Sequence, residues 1–220
     1  STANAVLEYN GHLYAAGRFV MDLMNEPTAL LVRLSTSGPE PVWIPAILAP
    51  QNSDGDEAYC LEVHDGLLVM GGRFTTDTGH NGIVAFNGSS ELGIGDGGVT
   101  ENGTVYSLAS YSSGEQGEPK LFAGGEFGNI GGNTPIYPDG TPMRENNIAV
   151  LSSGQWWDVR PGGANAPVYA LEAVAGVGVY AGGEFDSISG FTGLSHVAFI
   201  DNSFAINALG SGVDGPVMAI

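Results

Sequence analysis

Cysteine and basic residues are scarce in this chain of 220 residues. Cys60 is the only cysteine, so a disulfide within the chain and a zinc site built on paired cysteines are both excluded. Six Lys and Arg residues stand against 24 Asp and Glu residues, and the formal net charge is −18. This balance argues against nucleic acid and anionic membrane surfaces as partners, because binding to phosphate requires basic residues.

Long apolar segments are absent as well. No run has the features of a signal peptide or a membrane-inserted helix, and no stretch repeats apolar residues at a helical period. Glycine is abundant, at 35 residues, yet 43% of the chain is hydrophobic, which favours an all-β fold with many tight turns over disorder. Cys60 lies in an apolar segment and is predicted to be a small buried residue, not a nucleophile.

One six-residue segment recurs four times, at 14–19, 69–74, 122–127 and 180–185. Each copy contains a pair of small residues, and the second member of each pair is Gly17, Gly72, Gly125 or Gly183. The copies are therefore separated by 53 to 58 residues. A period of about 50 residues is typical of the blades of a β-propeller.

Each repeat unit contains four short apolar segments separated by turn residues, which predicts a four-stranded antiparallel blade. The predicted blades are 3–46, 58–92, 103–159 and 167–208, and 215–220 begins a further blade. Glycine in the second strand allows close approach of backbones or a positive φ, and the Phe two residues later is predicted to fill the space between blades. We expect residues 1–220 to be a single segment of a larger propeller, with self-association through unpaired strands; a self-contained four-blade domain is the alternative.

The segments 168–171, 179–190, 196–200 and 208–217 together resemble the kelch-like repeats of exported β-propellers. They are most similar to those of the Rax2-like cortical polarity-marker family and its bacterial surface relatives, and the resemblance covers nearly the whole chain. It implies a propeller fold and an extracellular or cell-surface location. The first copy departs most from the pattern, because Ala16 replaces the first glycine of the pair.

Loops from the second to the third strand, and connections from the fourth strand to the next blade, are expected to share one face. Functional residues concentrate on such variable loops, and here the loops are acidic. The candidate binding residues on this face are Asp77, His80, Asp139, Arg144, Glu145, Asp186 and His196.

The most acidic segment of this face is 52–57. Asp54, Asp56 and Glu57 place carboxylates in a loop that contains glycine, and oxygen ligands of this kind bind Ca²⁺. A calcium site and an exposed turn without metal are the two interpretations.

The sequence contains no nucleophile elbow, phosphate-binding loop or dinucleotide fingerprint, so no catalytic residue is assigned. It predicts a non-catalytic binding and scaffold module at the cell surface that attaches a partner protein through its acidic loop face. A carbohydrate-binding or carbohydrate-processing propeller and a calcium-dependent assembly module are the alternatives. Trp156 and Trp157 are adjacent on a predicted strand, so one must face away from the other, and an exposed Trp can stack on a sugar or a partner protein.

Overall fold

The computed structural model describes residues 1–20, 28–50, 55–100, 103–114, 117–131 and 147–220. Within these ranges the chain forms strands, turns and irregular segments, and no helix. Four antiparallel sheets of four strands each follow one another along the sequence, as predicted for an all-β chain of blade-like units. No helix among the described residues is long and apolar enough to cross a membrane.

The first two sheets contain consecutive strands, each hydrogen-bonded to the next in sequence. The first sheet consists of β1 (Thr2–Tyr9), β2 (His12–Val20), β3 (Thr28–Ser35) and β4 (Val42–Leu48). The second consists of β5 (Glu57–His64), β6 (Leu67–Thr75), β7 (Asn81–Phe86) and β8 (Glu91–Leu92).

The last two sheets follow the same plan, with one addition. The third consists of β9 (Thr104–Tyr111), β10 (Lys120–Glu126), β11 (Ile148–Ser152) and β12 (Gln155–Asp158). The fourth consists of β13 (Val168–Val174), β14 (Gly178–Gly183), β17 (Val197–Asp201) and β18 (Ile206–Ala208). A separate hairpin of β15 (Ser187–Ile188) and β16 (Phe191–Thr192) is inserted between β14 and β17. The repeat pattern did not predict this hairpin, since its two strands are only two residues long.

The hydrophobic core lies between sheets. The first strands of successive sheets contact each other, β1 with β5, β5 with β9 and β9 with β13. Three clusters of buried apolar side chains each join two successive sheets. Phe74, Phe127 and Phe185 belong to these clusters, which confirms that the repeated Phe fills space between neighbouring units. Phe19 is less buried and packs in a smaller cluster within the first sheet.

The glycine pair is required by close approach of atoms, since neither member has a positive φ in any copy. A Cβ atom on Gly125 would lie 2.0 Å from the Thr104 carbonyl oxygen, at the point where the register between β9 and β10 shifts. A Cβ atom on Gly124 would lie 2.7 Å from Val168 Cγ1 on the first strand of the next sheet. The second glycine therefore accommodates a bulge in its own sheet, and the first accommodates the neighbouring sheet.

The first sheet replaces that first glycine by Ala16, and the next sheet changes to match. Strand register makes Ala58 of β5 equivalent to Val168 of β13, because each pairs with the second glycine of its own sheet. Ala16 and Ala58 are both fully buried in the cluster that joins the first two sheets. The first interface thus combines two alanines, where the third combines Gly124 with Val168. A larger residue on one strand is matched by a smaller residue on the strand that faces it.

Cys60 behaves as a packing residue. A Cβ atom on Gly71 would lie 2.7 Å from Cys60 Sγ, so the thiol fills the space above the glycine. Burial raises the pKa of the Cys60 thiol to about 12. The thiolate needed for nucleophilic chemistry is therefore not available near neutral pH.

Candidate binding face

One end of the sheets carries the loops from second to third strands and the connections between sheets; we call it the loop face. Two side chains hold its segments in place around the fourth sheet. Asn165 Oδ1 accepts hydrogen bonds from the backbone N–H groups of Asp186 and Ser187, each at 3.0 Å. Asn147 Oδ1 accepts a hydrogen bond from Phe127 N–H at 3.1 Å, and its Nδ2 donates to the Ala164 carbonyl at 3.0 Å. These bonds fix the described loops to the connections beside them.

A row of tyrosines crosses from sheet to sheet next to the loop face. Tyr59, Tyr106 and Tyr169 occupy equivalent positions on β5, β9 and β13. The ring centroids of Tyr59 and Tyr106 are 5.7 Å apart, and those of Tyr106 and Tyr169 are 5.3 Å apart. Contacts at these separations are typical of tilted and edge-to-face aromatic pairs, so the row links three sheets at their first strands.

In the third and fourth sheets a carboxylate accompanies this row, at the position that follows the glycine pair. Tyr169 Oη donates a hydrogen bond to Glu184 at 2.9 Å, and Tyr106 Oη donates to Glu126 at 3.4 Å. Burial, together with the hydrogen bond and the charge of Glu184, raises the pKa of Tyr169 to about 12. The two hydroxyls therefore remain protonated donors, and the two glutamates remain oriented beside the rings.

The same repeat position carries arginine in the first two sheets, as Arg18 and Arg73. Arg73 is exposed and lies between two neighbouring clefts of the loop face. Its Nη2 donates a hydrogen bond to the Gly55 carbonyl at 3.3 Å. This hydrogen bond holds the guanidinium at the boundary of both clefts.

The first cleft has a volume of about 340 Å³ and lies on the second sheet. Besides Arg73, its polar lining comes from Asp56, Thr75 and Asn81. The second cleft has a volume of about 440 Å³ and lies at the third sheet. Its polar lining, apart from Arg73, consists of Thr104, Tyr106, Glu126 and Asn147.

The clefts therefore place one carboxylate on each side of a single guanidinium. Asp56 belongs to the first cleft and Glu126 to the second, and Arg73 belongs to both. An extended ligand that occupies both clefts meets Asp56, Arg73 and Glu126, and Glu57 lies opposite Arg73 on the neighbouring strand. This arrangement can distinguish ligands by the order of their charges as well as by net charge.

The predicted binding residues that the structure describes fall into two pairs, both outside these clefts. Asp77 and His80 share the loop between β6 and β7, where Asp77 N–H donates to the Leu48 carbonyl of the first sheet at 3.1 Å. Asp186 and His196 flank the β15–β16 hairpin, and His196 has a φ of 72°. Asp139, Arg144 and Glu145 lie outside the described residues.

Two of the three carboxylates predicted to bind calcium, those of Asp56 and Glu57, make hydrogen bonds to protein groups. Asp56 Oδ2 accepts a hydrogen bond from Thr75 N–H at 3.3 Å. Glu57 Oε1 accepts hydrogen bonds from Asn4 Nδ2 and Thr2 Oγ1, each at 2.8 Å, and the bond from Asn4 contributes most to lowering the pKa of Glu57. Asp54 lies outside the described residues, so the calcium site stays a prediction. Within the described ranges, no three His, Cys, Asp or Glu side chains are grouped to hold a metal ion.

Sequence reasoning missed Arg73, Tyr106 and Glu126. The signal was available, because the residue after each pair of small residues is charged in all four copies and a tyrosine recurs on three first strands. The predicted site was confined to loops, whereas these residues lie near the ends of strands. Their grouping depends on contacts between separate sheets, which the repeat pattern does not specify.

A scan against protein-family models found no match, and a search of curated proteins found no relative either.

Proposed function

We propose that the four sheets are blades of a kelch-like β-propeller whose first strands surround a common axis. The contacts of β1 with β5, of β5 with β9 and of β9 with β13 support this arrangement, as does the recurring fit between a glycine pair and the next first strand. Among the described strands, no comparable contact joins β1 to β13. We therefore favour a ring with more than four blades.

The chain acts in this proposal as a non-catalytic binding and scaffold module at the cell surface, and its loop face attaches a partner protein. The observation that carries the proposal is the pair of clefts that share Arg73, with Asp56 on one side and Glu126 on the other. Backbone and side-chain hydrogen bonds hold the described segments beside the clefts, so binding requires little ordering of those segments.

The partner segment is expected to be extended and to carry basic, acidic and basic side chains in that order. The basic side chains would pair with Asp56 and Glu126, and the acidic one with Arg73. The net charge of −18 adds a long-range attraction for a basic partner, which weakens as salt concentration rises.

Fluorescence polarisation with two labelled peptides tests this proposal. Both peptides have the same composition; one has the order basic–acidic–basic, and the other has its acidic residue moved to one end. We expect the first to bind more tightly, and Arg73→Gln and Glu126→Gln each to weaken it by about tenfold, as for desolvated charge pairs at interfaces. Glu40→Gln and Arg33→Gln remove the same charges elsewhere and should leave binding unchanged. Equal binding of the two peptides, or equal effects of the control substitutions, would contradict the proposal.

A further inference from the structure

A second candidate site lies at the opposite end of the sheets, between the third and fourth. It is a groove of about 340 Å³ bounded by the β12 edge strand and by the turn that joins β17 to β18. Trp157 and Phe204 form two of its walls, and Lys120, Ser152 and Asp158 add an ammonium, a hydroxyl and a carboxylate group. The groove therefore combines aromatic walls with hydrogen-bonding groups.

Trp157 is available to a ligand because of the alternation along β12. Trp156 is 1% exposed and packs in the core between the second and third sheets, whereas Trp157 is 39% exposed. Trp157 Nε1 donates a hydrogen bond to the Ser152 carbonyl at 3.4 Å, which orients the indole on its strand. The prediction that the two rings face opposite ways is confirmed, and the outward ring lines the groove.

Phe204 occupies a backbone conformation that is unusual for a large side chain. Its φ is 61°, whereas the corresponding turns reach positive φ with Gly88 in the second sheet and with the small residues Ser153 and Gly154 in the third. A bulky residue in this left-handed region is uncommon, because its Cβ crowds the following carbonyl group. Such residues persist where the surroundings hold them, and they concentrate at functional sites.

The surroundings hold Phe204 from several directions. Its N–H donates to the Asp201 carbonyl at 2.9 Å, and its carbonyl accepts a hydrogen bond from Arg160 Nε at 2.6 Å. Its ring stacks on Phe122 with centroids 6.0 Å apart, and Lys120 Nζ lies 6.0 Å from the ring centroid. The second aromatic wall is therefore preorganised.

We propose that this groove binds one pyranose ring of a neutral glycan. A pyranose has an apolar face of C–H groups that suits an aromatic wall, and hydroxyl groups at its edge that suit Lys120 and Ser152. The volume lies near the lower end of the range for ligand pockets, roughly 300 to 1,000 Å³, which favours a single small ring over a longer segment. The net charge of −18 disfavours acidic sugars such as uronates or sulfated glycans.

An array of neutral oligosaccharides, screened with the whole chain, identifies the occupant. The same array carries acidic oligosaccharides and a proline-rich peptide. Isothermal titration of the best neutral sugar then compares three variants. We expect Trp157→Ala to weaken binding by about tenfold or more, as for a central aromatic anchor, and Phe204→Gly to weaken it as well. Gly suits the positive φ, so Phe204→Gly removes the ring without opposing the turn.

Trp43→Ala is the matched control, since Trp43 lies on the equivalent fourth strand of the first sheet and is 44% exposed. It should bind sugar like the unchanged protein, as should Arg73→Gln, because the groove lies away from the loop face. Thermal melting of each variant separates loss of binding from loss of folding, and Trp157→Phe provides a folded replacement if Trp157→Ala unfolds. The proposal would be overturned if no neutral sugar on the array bound, or if the acidic sugars or the proline-rich peptide bound preferentially. Undiminished sugar binding by folded Trp157 variants would overturn it as well.

Discussion

Two tyrosines at the same repeat position give a direct test of the packing between sheets. Tyr9 ends β1 and Tyr111 ends β9, and their exposed fractions are 5% and 4%. Tyr9 Oη donates a hydrogen bond to the Gly66 carbonyl in the β5–β6 turn of the next sheet at 2.8 Å. The Tyr111 hydroxyl is also buried, yet it has no hydrogen-bond partner among the described residues.

Replacing each tyrosine by phenylalanine removes one oxygen atom and leaves the ring. In Tyr9→Phe a made hydrogen bond is lost, and this is expected to lower the free energy of unfolding by about 1 kcal/mol. In Tyr111→Phe an unpaired buried hydroxyl is removed, and its desolvation cost of roughly 1 to 3 kcal/mol is relieved at least in part. The second variant should therefore be as stable as the original protein or more stable.

Urea unfolding followed by tryptophan fluorescence, together with thermal melting, measures both differences. A change of 1 kcal/mol corresponds to a shift in Tm of about 2 to 4 °C for a chain of this size. Unchanged m-values would show that the denatured states are comparable. If Tyr111→Phe destabilises the protein as much as Tyr9→Phe, the Tyr111 hydroxyl has a partner and the reasoning from burial is wrong.

Two further predictions concern the interfaces between sheets. Gly124→Ala should destabilise the protein by about 1 to 3 kcal/mol, since the added Cβ would overpack against Val168. Val168→Ala in the same chain should recover part of that loss of stability. A double-mutant cycle by urea unfolding measures the coupling, and additive losses would contradict the fit between the two residues. His64, whose Nδ1 lies 3.0 Å from Ser110 Oγ, has its pKa lowered by burial, opposed in part by Asp65. The unfolded chain therefore binds a proton at His64 more readily than the folded chain does. The stability contributed by neutral His64 is complete above the ordinary histidine pKa of about 6.5, and it is lost as pH falls towards the lower pKa of His64 in the folded state. Melting from about pH 8 to about pH 5 should show a smaller decline for His64→Gln than for the unchanged protein, and parallel declines would assign the pH dependence to other groups.

The fold was largely predictable because its signals are local. Recurrence of the glycine pair located the second strand of each sheet, and flanking apolar segments and turns located the other strands. Strand alternation also predicted that Trp156 and Trp157 would face opposite ways. The β15–β16 hairpin escaped prediction, since strands of two residues carry no alternation to detect.

The candidate sites were less predictable because each is built from several sheets. Asp56, Arg73 and Glu126 lie on two sheets and belong to clefts whose shape depends on how those sheets pack. The groove beside Trp157 requires Phe204 from the next sheet, held in a turn that glycine would occupy more readily. Neither relation is visible in the spacing of residues along the chain.

The sequence by itself determined four antiparallel units, their order, and the positions where only a small residue fits. Local hydrogen bonds, the alternation of buried and exposed residues along strands, and the residue preferences of turns all act within one unit. The sequence of each repeat therefore specifies them. The tertiary structure alone decided which side chains of different units meet: the tyrosine row, the guanidinium between two carboxylates, and the two aromatic walls. Those meetings depend on the bulges and interfacial packing that set one sheet against the next, and the side chains involved are far apart along the chain.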